Sequence, residues 1–281
     1  MIAIADSGSS KTDWVFLSSN AAPIPATTAG FNPVYHNSRQ IREELSNSFR
    51  DLDFLTQVKK VFFYGSGCWD EKRAGIIIEG IQPFLPQAQF FIEHDLLGAA
   101  RAACGENPGI TCILGTGSNS CLYDGNEIID NVTNLGYLLG DEGSGIHMGK
   151  MLIQAYFYRE LPDEVAREVA SHFPGGKTDI LEKVYGSEKP NTFIASFASL
   201  IGKYASHPFI QDLIKRSIGQ FLDRQVCKYE GHKKLPVHFI GSISHHFQSH
   251  VIECCQERGL RVGKIFSKPI DELVKFHRAD L

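Results

Sequence analysis

Long apolar runs are missing from this chain: none approaches the ~18 residues that a membrane-spanning helix needs. No basic cluster stands out, and the formal net charge is −4, which argues against a nucleic-acid partner. Cysteines number seven, an odd count, scattered and without a C-x-x-C pair. Metal-binding and disulfide frameworks are therefore not expected, and a reducing cytoplasm is the expected compartment. The N-terminus starts directly on an apolar segment with no basic flank, so no signal peptide is expected. Low-complexity segments and long linkers are lacking too. Hydrophobic residues at 43% and charged residues at 21% fit a soluble globular chain. A length of 281 residues suits one large or two medium domains.

Two familiar nucleotide signatures are also absent. A P-loop needs G-x-x-x-x-G-K-[ST], and no glycine directly precedes Lys11. A dinucleotide fingerprint needs G-x-G-x-x-G opening a helix, yet the residues after Thr12 read as strand. What the opening does contain is Ile2-Ala-Ile-Ala-Asp6, then Ser-Gly-Ser-Ser-Lys-Thr12, then Asp-Trp-Val-Phe-Leu17. An apolar strand ends on a carboxylate, passes through a turn of small residues with a lysine, and resumes as strand. Gly8, Ser9 and Ser10 allow close backbone approach to a ligand, and N–H groups, hydroxyls and Lys11 suit a cluster of anionic oxygens. Asp6 in the same turn would repel bare phosphate, so a cation such as Mg²⁺ is expected between them. A solvated hairpin turn is the alternative.

Along the chain, residues 24–30 suit a third strand, followed by a loop in which Asn32 precedes Pro33 and is held extended. Its amide either faces a cleft or only makes a turn. Apolar spacing predicts a helix over 38–52, a strand over 58–64 ending in Gly65-Ser66-Gly67, and a helix capped by Asp70. A strand over 89–94 runs into Asp95 and an Ala-rich helix. Asp95 is either that helix's N-cap or a ligand-facing carboxylate at a strand end. The segment Ile110–Tyr123 repeats the opening pattern about 110 residues later, with Gly115-Thr116-Gly117-Ser118-Asn-Ser120 as its turn. Two matched hairpins suggest a duplicated domain. Next, Asn134-Leu-Gly-Tyr-Leu-Leu-Gly140-Asp141-Glu142-Gly143-Ser-Gly145 opens a helix, and Glu142 reads as an offset to that helix's macrodipole. Residues 162–230 are mostly helical. A strand over 235–240 leads into Gly241-Ser242 and one helix. His245, His246 and His250 read as helix surface, because acidic or cysteine ligands at metal spacing are lacking. A last strand over 261–267 precedes a terminal helix.

Asp6-Ser-Gly-Ser-Ser-Lys-Thr12 resembles the first phosphate motif, D-G-G-G-T-K-T, of the sugar kinase, Hsp70 and actin superfamily. Leu114-Gly-Thr-Gly-Ser-Asn-Ser120 resembles its second phosphate motif, and Phe239-Ile-Gly-Ser-Ile-Ser244 its adenosine motif. G-T-G-S-N together with G-Y-L-L-G-D-E-G-S-G resembles the N-acetylglucosamine kinase branch, grouped with BadF/BadG/BcrA/BcrD-type ATPases. The resemblance implies an α/β fold of two ribonuclease-H-like domains, as in actin-like ATPases, with a cleft between them. The N-terminal domain would cover 1–107. The C-terminal domain would cover 108–281, with a helical insertion at about 145–230 and a last helix packed back on the first domain.

The implied activity is ATP-dependent phosphorylation of an amino-sugar hydroxyl, with N-acetylglucosamine the leading substrate and ATP and Mg²⁺ the cofactors. Asp95 corresponds to the general base. Asn32, Ser66, Gly117 and Asp141 correspond to substrate-binding positions, Asp6 to the metal ligand, and Gly241 and Ser242 to the adenosine contact. Ser9, Ser10, Lys11, Thr12, Thr116 and Ser118 would meet the phosphates. The chain departs from the pattern at Leu135, where relatives carry tryptophan, at Ser7 and Ser9 in place of glycines, and at a C-terminus without the G-G-A stretch. Two other activities share the scaffold: the activating ATPase of a 2-hydroxyacyl-CoA dehydratase, whose C-A-A-G-T-G-like segment does not occur here, and a sugar-sensing regulator, whose added DNA-binding helices do not occur either. An oligomeric state, with a homodimer as one option, is left open.

Overall fold

The computed structural model describes residues 1–8, 10–187 and 189–281. The chain divides into two compact units. The first holds Met1–Asn107, Gly125–Ile128 and Lys268–Leu281, and the second holds Pro108–Asp124 and Ile129–Ser267.

In the first unit, strands β1 (Ile2–Ser7), β2 (Lys11–Leu17), β3 (Ile24–Ala29), β4 (Lys60–Gly65) and β5 (Gln89–His94) form one sheet. Their order is β3-β2-β1-β4-β5. The first three run antiparallel to one another, and β4 and β5 run parallel to β1. Residues 2–5 of β1 are all buried, as a central strand covered on both faces requires. Alternate residues of β2 and β4 point to opposite faces. Trp14, Phe16 and Phe63 fall on one face, where Trp14 and Phe49 meet edge-on at 5.3 Å. Helices α1 (Ser38–Ser48) and α2 (Glu71–Ile81) cover that face with Ile41, Leu45, Ile77 and Ile81. Asn37 and Gln40 form a capping box at the start of α1, and Asp70 caps α2. The helix expected to reach residue 52 stops at Ser48. Phe49 leaves helical geometry as the C-cap, yet still reaches the core from the turn. On the other face lies α3 (Asp95–Cys104), whose small residues allow close approach. A Cβ at Gly98 would stand 2.6 Å from the Tyr64 ring.

The second unit repeats this plan. Strands β6 (Gly109–Leu114), β7 (Ser118–Tyr123), β8 (Ile128–Asp130), β9 (Pro236–Ile240) and β10 (Arg261–Phe266) are ordered β10-β9-β6-β7-β8. Counted from the first strand of each sheet, both orders are third-second-first-fourth-fifth with the second strand antiparallel, the ribonuclease-H-like arrangement. A one-turn helix α4 (Gly136–Leu139) precedes α5 (Gly145–Phe157). Then follow α6 (Asp163–Ser171), α7 (Lys177–Tyr185), α8 (Pro190–Ser196), α9 (Ala198–Lys203) and α10 (Pro208–Arg224). After β9 come two helices rather than the single one expected, α11 (Ser242–His246) and α12 (Gln248–Glu257). Phe247, at φ −103° and ψ 31°, interrupts them and is buried. Among the described residues no helix is long and apolar enough to cross a membrane.

The last residues belong to the first unit, as α13 (Ile270–Phe276) and a 3-10 turn from His277 to Asp280. His277 is buried and stacks on Phe62 at 3.9 Å between ring centres. Its Nε2 lies 2.8 Å from the Tyr64 hydroxyl and its Nδ1 lies 2.7 Å from an Asp280 oxygen. Arg101 of α3 donates to the same Tyr64 hydroxyl at 2.9 Å. The chain end is thereby fastened to β4 and α3 by a fully partnered polar network.

Candidate active site

In the first unit, strand register decides what meets. Ser7 is paired with Gly65, and Gly65 with His94. Across the antiparallel side Ser7 faces Thr12, and Lys11 faces Ala29. The small-residue turn, the loops after β3 and β4, and the start of α3 therefore all emerge at one edge of one sheet, the carboxyl edge of its parallel strands.

Asp6 sits one residue before that edge. Burial pushes its carboxyl pKa from 3.8 up to about 7, helped by the negative charges of Asp95 and Asp13 and opposed by Lys11 and Lys268. Lys11 donates to both Asp13 oxygens at 2.9 and 3.0 Å, and Lys268 lies 3.4 Å from one of them. Two ammonium groups thus flank a carboxylate beside the turn. Ser10 is exposed in that turn, and Ser9 lies outside the described residues. Thr12, expected to meet phosphate, is fully buried, and its hydroxyl is committed to Ser7 at 2.8 Å and the Ala29 carbonyl at 3.0 Å. The Ser7 hydroxyl also accepts from the Phe31 N–H at 2.9 Å and lies 3.2 Å from the Phe31 carbonyl. A serine where relatives carry glycine therefore ties the turn to the loop that presents Asn32.

Asn32 makes the turn that was one of its two readings: its Oδ1 accepts from the Val34 N–H at 2.9 Å. Its Nδ2 has no partner among the described residues. Gly67, at φ +85°, packs against it so closely that a Cβ would stand 2.5 Å from Asn32 Oδ1. Glycine is required there on both counts. The two loops consequently lock together, with Ser66 at the junction, its N–H donating to the Ser7 carbonyl at 3.1 Å.

Asp95 is not the N-cap of α3. His94 holds the N-cap position, its Nδ1 3.2 Å from the Leu96 N–H, and Asp95 is the first helical residue. The Asp95 carboxylate lies 2.9 Å from the same nitrogen, which cannot accept from Leu96 while it donates to Asp95, and the carboxylate stays about a quarter exposed, at 26% of its side-chain surface. Burial lowers the imidazole pKa, but the hydrogen bond and charge of Asp95 more than offset it, so His94 sits above its ordinary value. The buried Cys68 thiol is pushed up to about 12 by burial and then by the charges of Asp95 and Asp70.

The second unit holds its own turn differently. Gly115 N–H donates to the Gly117 carbonyl, and the N–H groups of Gly145 and Ile146, at the start of α5, donate to the carbonyls of Gly115 and Thr116. The buried Asp141 carboxylate accepts from the Ser118 N–H at 2.9 Å and from Asn134 Nδ2 at 2.8 Å. Asp141 adopts φ +60°, an uncommon backbone for a residue with a side chain, and this aims its carboxylate at Gly117, where a Cβ would meet it at 2.9 Å. Gly241, at φ +119°, lies against the Leu114 carbonyl, so Gly241 and Ser242 adjoin the Gly115–Ser118 turn. Ser118 Oγ is buried and is the one buried side-chain oxygen or nitrogen without a partner among the described residues. Its hydrogen-bonding capacity is therefore unused within the protein.

Glu142 does not offset the α5 dipole. The helix is capped by Ser144 and has no acidic residue in its first turn. Glu142 is buried and paired directly with Arg224 beside a cavity of about 200 Å³ that both line together with Asn134, Leu135 and Leu139. Leu135, Leu138 and Leu139 are 62%, 71% and 75% exposed, so this short apolar helix lacks a cover. Lys150 fixes it by donating to the Tyr137 carbonyl at 2.7 Å. Sequence reasoning missed Asp13, Lys268, His94 and Asn134. Of these only His94 lay beside a residue already singled out, since it directly precedes Asp95.

No family model matches the chain, and none of the curated proteins matches it. Among solved structures, one from Porphyromonas gingivalis, described as a candidate N-acetylglucosamine kinase, is 36% identical over 100% of this chain and 99% of its own, with a TM-score of 0.93. A second protein with the same description, from Chromobacterium violaceum, is 18% identical over 98% and 99% of the two chains, with a TM-score of 0.76. A ROK family glucokinase from Streptomyces griseus, solved with glucose and AMPPNP, is 15% identical over 98% and 97%, with a TM-score of 0.53. The last two likenesses concern the fold alone.

Two stability outcomes follow from the buried polar groups. The raised Asp6 pKa means the metal-free fold is stabilised by that proton at low pH and loses the contribution as pH rises from about 4 through about 7. Asp6→Asn should remove this slope. In urea titrations without metal, the variant should match the wild type near pH 4 and exceed it near pH 8, by at most about 4 kcal/mol. Ser118→Ala deletes a hydroxyl that has no protein partner, so it should leave the urea midpoint unchanged or raise it slightly.

Proposed function

Because the chain belongs to the BadF/BadG/BcrA ATPase-like sugar kinase family, we propose that it transfers the γ-phosphoryl group of ATP to a hydroxyl of an amino sugar, with N-acetylglucosamine as the leading substrate. The observation that carries this reading is the largely desolvated Asp6 carboxylate, one residue before a small-residue turn whose Asp13 is flanked by Lys11 and Lys268, at the sheet edge from which Asp95 also emerges. A carboxylate held this far from water favours a counter-charge, and anionic oxygens favour the adjacent lysines.

The donor set fits Mg²⁺. No group of three or more candidate metal-ligating side chains occurs among the described residues. An ion that keeps most of its waters and borrows one carboxylate needs no such cage. Asp6 would hold it, and when bound the ion neutralises charge on the phosphoryl oxygens. Lys11, Ser10 and, beyond the described residues, Ser9 would supply donors to those oxygens in the first unit. In the second unit Thr116 and Ser118 are donors suited to phosphate, and the unpartnered Ser118 hydroxyl has capacity to spare. Thr12 serves through position, since its hydroxyl is committed within the fold. Gly241 and Ser242, lying against Leu114, take the adenosine side.

Asn32 Nδ2 and the Ser66 hydroxyl would offer donors to the sugar, and in the second unit Gly117 and Asp141 are the positions assigned to substrate binding. Asp95 accepts the proton of the attacking hydroxyl. Phosphoryl transfer depends mostly on positioning and charge stabilisation, so the base contributes only part of the acceleration.

The test is ADP release with Mg-ATP across N-acetylglucosamine, glucosamine, N-acetylmannosamine, N-acetylmuramate and glucose. One amino sugar should stimulate release strongly, and no stimulation by any of them would overturn the reading. Asp95→Asn should lower turnover on that sugar ~10²–10⁴-fold while nucleotide affinity stays within about threefold. Near-normal turnover would remove Asp95 from the chemistry.

A further inference from the structure

Trp69 stands out once the base is placed. It is one of two tryptophans in the chain and is 58% exposed, whereas Trp14 is 1% exposed in the core. Singly exposed apolar rings are common, and what sets this one apart is how it is held and what it adjoins. Here its attitude is fixed. The Arg73 guanidinium carbon lies 4.4 Å from the indole centroid over one face. Arg73 is in turn held by Asp70, which accepts from its backbone N–H at 2.8 Å and pairs with its guanidinium. Behind the indole, Cys68 is buried, and Gly67 is locked against Asn32 and Val34. The ring is therefore not a swinging surface side chain but part of a loop clamped on both sides.

What that fixed ring adjoins is the candidate base. The Trp69 and His94 ring centres are 6.5 Å apart, and His94 Nδ1 is 2.9 Å from the Asp95 carboxylate. Asn32 and Ser66, with their unpartnered polar ends, belong to the same pair of interlocked loops. A rigid apolar plane, a free amide and a carboxylate within one unit match the two-sided character of a pyranose, which has an apolar face of C–H groups and a rim of hydroxyls.

We infer that Trp69 is a substrate-binding residue, the platform on which the acceptor's pyranose ring stacks while Asn32 and Asp95 address its rim. This rests on the sugar kinase reading above and assigns it a residue that no motif indicates. The contact is made with the ring and not with the phosphoryl group, so it acts on sugar affinity. The apolar area of one indole face, on the order of 100 Å², corresponds to about 50-fold in affinity.

The experiment is acrylamide quenching of tryptophan fluorescence in the full chain, titrated with each sugar of the panel, alongside steady-state kinetics of Trp69→Ala and Trp69→Phe. Trp14 is shielded in the core, so the quenchable signal reports Trp69. The sugar that stimulates ADP release should protect the signal. Trp69→Ala should raise its KM about 50-fold with kcat and the ATP KM within about threefold, and Trp69→Phe should recover most of the loss. Quenching unchanged by every sugar, or a Trp69→Ala variant with unaltered sugar KM, would overturn the inference. So would an effect confined to kcat. Asp95→Asn separates the two claims: it should retain sugar protection of Trp69 while losing turnover. Normal turnover with retained protection would overturn the base and uphold the platform.

Discussion

A half-buried carboxylate near the end of a central strand is the constraint around which the first unit is arranged. Asp6 follows four fully apolar residues of β1, and the covering layers that make those residues a good strand interior leave the carboxylate short of hydration. Asp13 and Asp95 make the charge less welcome still, and Lys11 and Lys268 only partly compensate. Such a group is a poor device for stability and a good one for capturing a cation together with an anion. The neighbouring elements read as consequences: the turn is small so that a ligand can approach, and the loops after β3 and β4 are locked so that their polar ends stay aimed.

The two units reach the same end by different fastenings. In the first, the turn is held by hydroxyls: Ser7 and Thr12 bond to each other, Thr12 reaches the Ala29 carbonyl, and Ser7 accepts from the Phe31 N–H. In the second, a side chain from outside the hairpin does the work: Asp141, in a left-handed conformation, grips the Ser118 N–H with Asn134 alongside. Each turn also carries donors outside that fastening, the exposed Ser10 and the Asp13-paired Lys11 in one and the unpartnered Ser118 hydroxyl in the other. A duplicated strand plan thus carries two independently built small-residue turns, and Gly241, closing on Leu114, adds a third backbone segment to the second.

Much of this was legible in the sequence where chemistry and chain order coincide. Asp6–Thr12 and Leu114–Ser120 could be read because an apolar strand that runs into a cluster of small residues is seldom a plain connection, and their repetition implied the repeated sheet. Asp95 could be placed at a strand end but not given its local role. Aspartate is the commoner cap, and only the backbone shows that His94 holds the N-cap position and Asp95 the first turn of α3. Glu142 was misread for a related reason. Its partner Arg224 lies at the far end of α10, and no periodicity brings them together before the fold is known. Lys268 beside Asp13 is the extreme case, because it depends on the last segment of the chain belonging with the first. Trp69 carries no motif at all. Its meaning comes from exposure, the Arg73 clamp and nearness to His94, which are properties of place.

The central claim is that the Asp6 carboxylate, protonated in the metal-free fold near neutral pH, is the group that the metal–nucleotide complex discharges. It is tested most directly by calorimetric titration of Mg-ATP at about pH 6, in buffers of different ionisation enthalpy, which counts the protons released on binding. The account predicts that the wild-type chain releases close to one proton per nucleotide, because the displaced pKa of about 7 leaves Asp6 mostly protonated before binding. The Asp6→Asn chain should release none of it. Equal proton release from both chains would contradict the account.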